Sequence, residues 1–139
     1  MAEATTDIVT TESTQVKKRK AKRSVNSGQV HILATFNNTI ISFTDPSGAV
    51  LTNSSAGSCG FRGSKKGTAY AAQVATEHAG QAAKQQYGFA KAVVFIKGIG
   101  LGRDAAVRTL GNLNIQVESI QDVTGVPHGG VRPRKARRV

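Results

Sequence analysis

Short apolar runs separated by glycine and proline turns constrain the fold of this chain more than any other feature. Residues 29–36 alternate between apolar and polar side chains, as a strand with one buried face does. Asn37-Asn38 is a tight-turn pair, and residues 39–44 return as a second strand. Asp45-Pro46-Ser47-Gly48 is typical of a type I turn, because aspartate accepts a hydrogen bond at the first position and proline presets φ. A third short strand over 49–53 completes a predicted antiparallel meander.

The second half of the chain alternates helices with strands. The predicted elements are a helix over Thr68–Tyr87, a strand over Ala92–Ile96, a helix over Arg103–Leu110 and a strand over Ile115–Val123. Thr68 is the predicted N-cap of the first helix, and Gly88 and Gly111 are the predicted stops of the two helices. The run Ala92–Ile96 is continuously apolar, which is typical of a strand covered on both faces. The order βββαβαβ predicts a three-layer α/β/α domain on a mixed sheet, because parallel strands are joined by right-handed crossovers.

The net charge of +11 is concentrated in two stretches near the ends of the chain. The first stretch carries +6 and consists of Lys17, Lys18, Arg19, Lys20, Lys22 and Arg23. The second carries +5 and consists of Arg132, Arg134, Lys135, Arg137 and Arg138. The charges of all other residues cancel. A folded body with two cationic arms is suited to lie against dense negative charge, with nucleic acid as the first candidate and an anionic membrane as the second.

Composition divides the chain into three predicted parts. Residues 1–27 form an N-terminal arm, basic from residue 17, with too few large side chains to bury the surface that ordering requires. Residues 28–124 form the folded α/β domain, which is expected to bind RNA if nucleic acid is the partner of the cationic arms. Residues 125–139 form an extended basic tail, because Pro133 opposes a helix there.

The expected location of the protein is the cytoplasm. No apolar run approaches the ~18–20 residues that a membrane span needs. The residues after Met1 lack the basic and apolar regions of a secretory signal, and the three acids before residue 17 are untypical of a transit peptide. A single cysteine, Cys59, fits a reducing compartment.

The glycine turn at Gly98, Gly100 and Gly102 lies between a predicted strand and a predicted helix, as in a dinucleotide-binding motif. That motif needs a further glycine where Arg103 stands, and it belongs in the first βα unit, whereas this unit is the last. Glycines also let backbone N–H groups approach a phosphate at a helix N-terminus. With Arg103 and Arg108 beside it, the turn is therefore a candidate site for an RNA phosphate. The alternative is a loop that needs glycine only for its turns.

The glycine-rich loop over residues 57–67 lacks the spacing of a P-loop and is predicted to be flexible and basic. Arg62, Lys65 and Lys66 lie beside glycines, where cations are well placed to contact phosphate. Phe61 is a candidate either to stack on a base or to anchor the loop by burial. A solvated charged loop is the alternative to a binding site.

Patterns of catalytic or metal-binding residues are sparse. None of the three histidines has another ligand at metal-binding spacing, and Cys59 has no histidine partner that the sequence identifies. A metal-dependent nuclease would require Asp45, Glu118 and Asp122 to converge. The sequence predicts no enzyme, no metal site and no cofactor.

Seven short motifs follow one another along the chain. They are Phe36-Asn-Asn-Thr39, Thr44-Asp-Pro-Ser-Gly48, Gly60-Phe-Arg-Gly-Ser-Lys-Lys66, Ala71-Ala-Gln-Val74, Lys97-Gly-Ile-Gly-Leu-Gly-Arg103, Asp122-Val-Thr124 and Pro127-His-Gly-Gly-Val-Arg-Pro133. With the basic terminus, they resemble the universal family of small-subunit ribosomal protein eleven, of bacterial or organellar type. The resemblance covers about residues 28–139 and leaves residues 1–16 outside.

The resemblance implies a non-catalytic structural component of the small ribosomal subunit. Such a protein binds 16S-type ribosomal RNA on the platform, near the exits for messenger RNA and tRNA, and helps to assemble it. The implied partners are this RNA, neighbouring platform proteins and messenger RNA near its exit, with no membrane and no small-molecule substrate. The implied contact residues are Asn37, Asn38, Phe61, Arg62, Gly63, Ser64, Lys65, Lys66, Gly98, Gly100, Gly102, Arg103 and the tail from His128 to Arg138.

Besides the nuclease considered above, two alternatives remain open at this point. A cytoplasmic ribosome is the expected location, and an organellar ribosome is the other possibility. A free-standing RNA chaperone would carry the same two cationic arms, but it would bind many RNAs equally well and would not sediment with ribosomes.

Overall fold

A computed structural model describes residues 24–138, so the cationic stretch from Lys17 to Arg23 lies outside the described residues. The strands are β1 (Ser27–Ala34), β2 (Thr39–Thr44), β3 (Val50–Ser55), β4 (Lys91–Lys97) and β5 (Gln116–Asp122). The helices are α1 (Ala69–Tyr87) and α2 (Gly102–Asn112), and a 3-10 turn spans Gly63–Gly67. The predicted order βββαβαβ is confirmed.

The five strands form one mixed sheet with the order β3-β2-β1-β4-β5. β1 pairs antiparallel with β2, and β2 with β3, so the predicted meander is confirmed. β4 pairs parallel with β1 on one side and with β5 on the other. The predicted turn after β2 is also present, because the N–H of Gly48 donates to the carbonyl oxygen of Asp45 over 3.0 Å.

Both helices lie on the same face of the sheet, so the predicted third layer does not form within residues 24–138. Gly80 of α1 lies against Leu113, directly after α2, and Gly102 of α2 lies against Ala72 of α1. The crossovers from β3 to β4 and from β4 to β5 move in the same direction across the sheet. Right-handed crossovers that move in one direction place their helices on one face. The α/β class and the mixed sheet are therefore confirmed, with two layers instead of three.

β4 is covered on one face only, which corrects the prediction that its apolar run is buried on both. Ala92, Val94 and Ile96 are buried beneath the helices, whereas Val93 and Phe95 are only partly buried. Phe95 stacks on His31 of β1 across the open face, with ring centroids 5.1 Å apart. The apolar run thus includes two residues on the open face of the sheet, where the His31 side chain of β1 covers Phe95 in part.

The core lies between the alanine-rich face of α1 and the central strands. Small side chains let the helix approach the sheet closely, and the rings of Phe43 and Phe89 fill the space beside it with an edge-to-face contact of 5.2 Å. Val25 packs against this core, and its N–H donates to the carbonyl oxygen of Tyr87 over 2.9 Å. Contacts of the folded domain therefore begin before the predicted boundary at Gly28.

The ends of α1 agree with the sequence, but the end of α2 does not. Thr68 caps α1 by accepting from the N–H of Ala71 over 3.3 Å, and Gly88 ends it in the left-handed conformation. α2 continues through Gly111, so the predicted stop there is wrong. Asn114 takes the left-handed conformation after this helix, with φ of 62°, and asparagine tolerates that region better than most residues do.

Neither helix among residues 24–138 combines the length and the apolar character that a membrane crossing would require.

Candidate nucleic-acid interface

Three segments that were predicted to contact RNA meet at one end of the sheet, around the carboxyl end of β1. The 3-10 turn touches the β1–β2 loop, because a Cβ added to Gly67 would lie 2.1 Å from the carbonyl oxygen of Phe36. The glycine turn touches the same strand end, because a Cβ on Gly98 would lie 2.1 Å from the carbonyl oxygen of Ala34. We name these three segments together, residues 35–38, 61–67 and 98–103, the loop end.

The β1–β2 loop is held by its own side chains. The N–H of Asn38 donates to Thr35 Oγ1 over 3.1 Å, and Asn38 Oδ1 accepts from the N–H of Thr39 over 2.8 Å. Asn37 is exposed and has no hydrogen-bond partner within residues 24–138, and Phe36 is 73% exposed. Asn38 therefore shapes the loop, while Phe36 and Asn37 are available to a ligand.

The second half of the basic loop forms a 3-10 turn over Gly63–Gly67. Gly63 and Ser64 are exposed within this turn, and it closes with the Thr68 hydroxyl donating to the carbonyl oxygen of Lys65 over 2.8 Å. Arg62 braces the preceding segment by donating from Nη1 to the carbonyl oxygen of Gly57 over 2.9 Å.

The lysines of this turn have no internal partner. The ammonium groups of Lys65 and Lys66 form neither hydrogen bonds nor ion pairs within the described part of the chain. Lys65 is exposed and Lys66 is half-buried. The turn thus fixes the backbone and leaves two positive charges for an external anion.

The backbone N–H groups of Gly98 and Gly100 are already used inside the protein. The N–H of Gly98 donates to Thr124 Oγ1 over 3.0 Å, and that of Gly100 donates to the carbonyl oxygen of Ala34 over 2.9 Å. Gly102 is buried at the start of α2, against Thr39. All three positions fit the alternative in which the turn needs glycine for its own packing, and the donors of Gly98 and Gly100 are not free for a phosphate.

Arg103 is likewise engaged, in a cluster that we name the clasp: Arg103, Asp122 and Thr124. Arg103 Nη2 donates to Asp122 Oδ2 over 2.8 Å, and Nη1 donates to the carbonyl oxygen of Gly98 over 2.7 Å. The N–H of Thr124 donates to Asp122 Oδ1 over 3.0 Å. The clasp therefore binds the glycine turn to the chain directly after β5, where the basic tail begins. Sequence reasoning missed this role, because it treated Arg103 as a phosphate ligand.

The clasp should remain intact in acid. Hydrogen bonds from the Thr124 hydroxyl and then from the Arg103 guanidinium hold the pKa of Asp122 well below its ordinary value of 3.8. A depressed carboxyl pKa adds stability that is fully present above the ordinary value and is lost only as the pH falls through the lower, folded value. A carbon-detected NMR titration should show Asp122 ionised well below pH 3.8, and Thr124→Val or Arg103→Gln should raise its pKa. A carboxyl that titrates at its ordinary value in the unmodified protein would contradict this.

The basic tail leaves the domain at the loop end. Residues 125–138 are exposed and form neither helix nor strand. Its cations have no partner within residues 24–138; they are Arg132, Arg134, Lys135, Arg137 and Arg138. His128 is exposed between the clasp and these cations. Because Thr124 is tied to Gly98, the origin of the tail is fixed beside the loops.

Arg108 lies away from the glycine turn, on the outer side of the helical layer. It lines a groove of about 300 Å³ between α1 and α2, together with Tyr70 and Gln73. Tyr70 is 65% exposed, and its ring meets Phe61 edge-to-face with centroids 5.8 Å apart. Sequence reasoning missed Tyr70, although an aromatic residue outside the alanine face of α1 was the available signal.

The carboxylates that a nuclease would require do not converge. Asp45 follows β2 where Thr44 pairs with Gln29, near the start of β1. Asp122 pairs with Ile96, near the end of β4, so it lies at the opposite end of the sheet. No three residues among the described histidines, cysteines, aspartates and glutamates are grouped so that they could hold a metal ion.

Comparisons with known proteins agree with the resemblance noted in the sequence. The family model described as ribosomal protein S11 matches residues 28–138. One relative is from Treponema pallidum strain Nichols, and another is from a different strain of Treponema pallidum subsp. pallidum. Both are named small ribosomal subunit protein uS11. Each is 52% identical to this chain over 123 residues, which is 88% of this chain and 97% of the relative. The chain therefore belongs to the ribosomal protein S11 family.

Proposed function

We propose that the chain is a non-catalytic structural constituent of the small ribosomal subunit that binds 16S-type ribosomal RNA on the platform and helps to assemble it. The observation that carries the proposal is the convergence of the loop end with the origin of the basic tail. Family membership supports the ribosomal assignment. The platform location, the protein neighbours and the proximity to messenger RNA rest on the family resemblance, as does a cytoplasmic rather than an organellar ribosome.

The mechanism is electrostatic positioning. The 3-10 turn positions the backbone of Lys65 and Lys66, and the tail supplies five more cations from an anchored origin. Asp122 does not oppose them, because Arg103 neutralises it. Each phosphate that these cations contact releases condensed counterions, which provides most of the binding free energy without reading the sequence.

The two sets of cations suit different tasks. The guanidinium groups of the tail are planar forks that can bridge two phosphate oxygens, whereas lysine ammonium groups act as mobile point charges. A compact body places its lysines against one RNA helix, and an extended tail can pass between helices that a globular surface cannot enter. Together they would hold neighbouring RNA segments in a fixed relation during assembly.

Sedimentation of the endogenous protein tests the proposal directly. A cell extract is separated on a sucrose gradient in moderately high salt, and each fraction is analysed by mass spectrometry. We expect stoichiometric recovery with the other proteins of the small subunit. Recovery at the top of the gradient, without ribosomal RNA, would contradict the proposal and favour the free-standing chaperone.

A further inference from the structure

The groove between α1 and α2 carries an aromatic side chain that the fold uses little. Tyr70 is the second residue of α1, and most of its surface is exposed. Its ring contacts Phe61 edge-to-face, at 5.8 Å and 80°. This contact restricts the orientation of the Tyr70 ring, so the ring is held ready for a flat partner at little further entropic cost.

The rest of the groove combines small and polar side chains. Its lining includes Ala69 and Ala105 together with Gln73, Arg108 and Asn112. Primary amides offer both donors and acceptors, which suits the edge of a nucleobase. The volume of about 300 Å³ is at the lower end of the range for ligand sites, which suits one planar group.

Arg108 differs from the two other arginines of the described helices and loops in having no partner inside the fold. Arg62 and Arg103 each donate hydrogen bonds within the protein. Arg108 is exposed and forms no hydrogen bond or ion pair within residues 24–138. A free guanidinium beside an exposed aromatic ring can hold a phosphate or stack on a base.

The groove also adjoins the loop end. The 3-10 turn that carries Lys65 and Lys66 ends at Gly67, with one residue between it and α1, and Gly67 lies three residues before Tyr70. An RNA strand on these lysines would therefore pass the mouth of the groove. A protein partner is less well matched, because the lining offers a cation and amides beside a single aromatic side chain.

We propose that this groove binds one unstacked base of single-stranded RNA, with Tyr70 as the stacking surface and Arg108 as the contact to the adjoining phosphate. The proposal rests on the proposed function for its ligand. It adds a base-stacking site to a surface that otherwise contacts phosphates. Stacking accepts any base, so the site would add affinity with little sequence preference.

Tyrosine fluorescence gives a direct readout, because the chain has no tryptophan and only two tyrosines. Tyr87→Phe leaves Tyr70 as the single fluorescent tyrosine. The probes are a uridine hexanucleotide and a hexamer of the same length and charge without bases, each added to the full chain. We expect the uridine probe to quench Tyr70 emission and to bind about tenfold more tightly than the abasic probe.

Substitutions at Tyr70 separate stacking from charge, and their affinities are measured by filter binding because they remove the fluorescent side chain. Tyr70→Phe keeps the ring and should keep the affinity for the uridine probe, whereas Tyr70→Leu should lower it about tenfold without changing the affinity for the abasic probe. Circular dichroism checks that both variants fold. Equal binding of both probes, unaffected by Tyr70→Leu, would overturn the base site and leave the proposed function standing. If neither probe nor 16S-type RNA binds, both proposals fail.

Discussion

Gly100→Ala should lower the free energy of unfolding by about 3 kcal/mol, at the upper end of the usual cost of overpacking. The added Cβ would lie 2.2 Å from the carbonyl oxygen of Thr35 and 2.8 Å from the carbonyl carbon of Ala34. These are backbone atoms at the end of the central strand, so no change of rotamer relieves the contact. The hydrogen bond from the Gly100 N–H to Ala34 would also be strained. The measurement is urea denaturation, read as a lower midpoint at an unchanged m-value.

Gly111→Ala is the matched control for this experiment. Gly111 lies within α2, and a Cβ there would have no atom within 4 Å. Alanine has a higher helix propensity than glycine, so the free energy of unfolding of this variant should rise by up to about 1 kcal/mol. Two alanine substitutions in adjacent segments should thus change stability in opposite directions. Equal stability of Gly100→Ala and the unmodified protein would show that the glycine turn does not press against β1.

Removal of residues 132–139 should reduce the salt dependence of RNA binding more than any other single change in the described domain or its tail. The slope of log K against log salt is negative, and each phosphate that the protein no longer neutralises reduces its magnitude by about 0.7–0.9, so the loss of five would reduce the magnitude by about 4. Binding itself should weaken most at low salt, where counterion release contributes most. The measurement is a filter-binding titration against small-subunit RNA at several salt concentrations.

A charge-preserving variant distinguishes charge from length in the tail. Lysine in place of Arg132, Arg134, Arg137 and Arg138 keeps the charge and removes the planar forks. This variant should keep the slope of log K against log salt and bind RNA less tightly. Glutamine at the same four positions should reduce both the magnitude of that slope and the affinity. A truncated chain with the slope of the full protein would show that the tail is not a phosphate clamp.

Local signals in the sequence predicted the elements of the fold well. The alternation in residues 29–36 and the turn at Asp45 each depend on neighbours within a few residues, and the same is true of the caps at Thr68 and Gly88. The predicted number of layers was wrong because it depends on the direction in which the two crossovers move across the sheet, and no local sequence pattern indicates that direction. The end of α2 was wrong because Asn114, and not Gly111, takes the left-handed conformation.

The sequence predicted which segments form the candidate site, but it did not predict the ion pair between Arg103 and Asp122 within that site. Charge and glycine content identified the loops and the tail as candidates, and the family resemblance implied that all of them contact RNA. The partner of Arg103 is Asp122, 19 residues further along, and only the parallel pairing of β4 with β5 brings the two together. Tyr70 was missed because the alanine pattern of α1 describes the buried face, and Tyr70 belongs to the other one.

The central strand acquires its two neighbours at very different times while the chain is being made. Ala34 of β1 pairs with Thr39, five residues later, whereas Ser27 pairs with Lys91, 64 residues later. Thr39 precedes Lys91 by 52 residues, so at a synthesis rate of roughly 5–20 residues per second the second edge of β1 stays unpaired for about 3–10 s after the first can form. Unpaired strand edges promote association between chains. The period in which a nascent chain of this protein is prone to aggregate is therefore set by the arrival of β4.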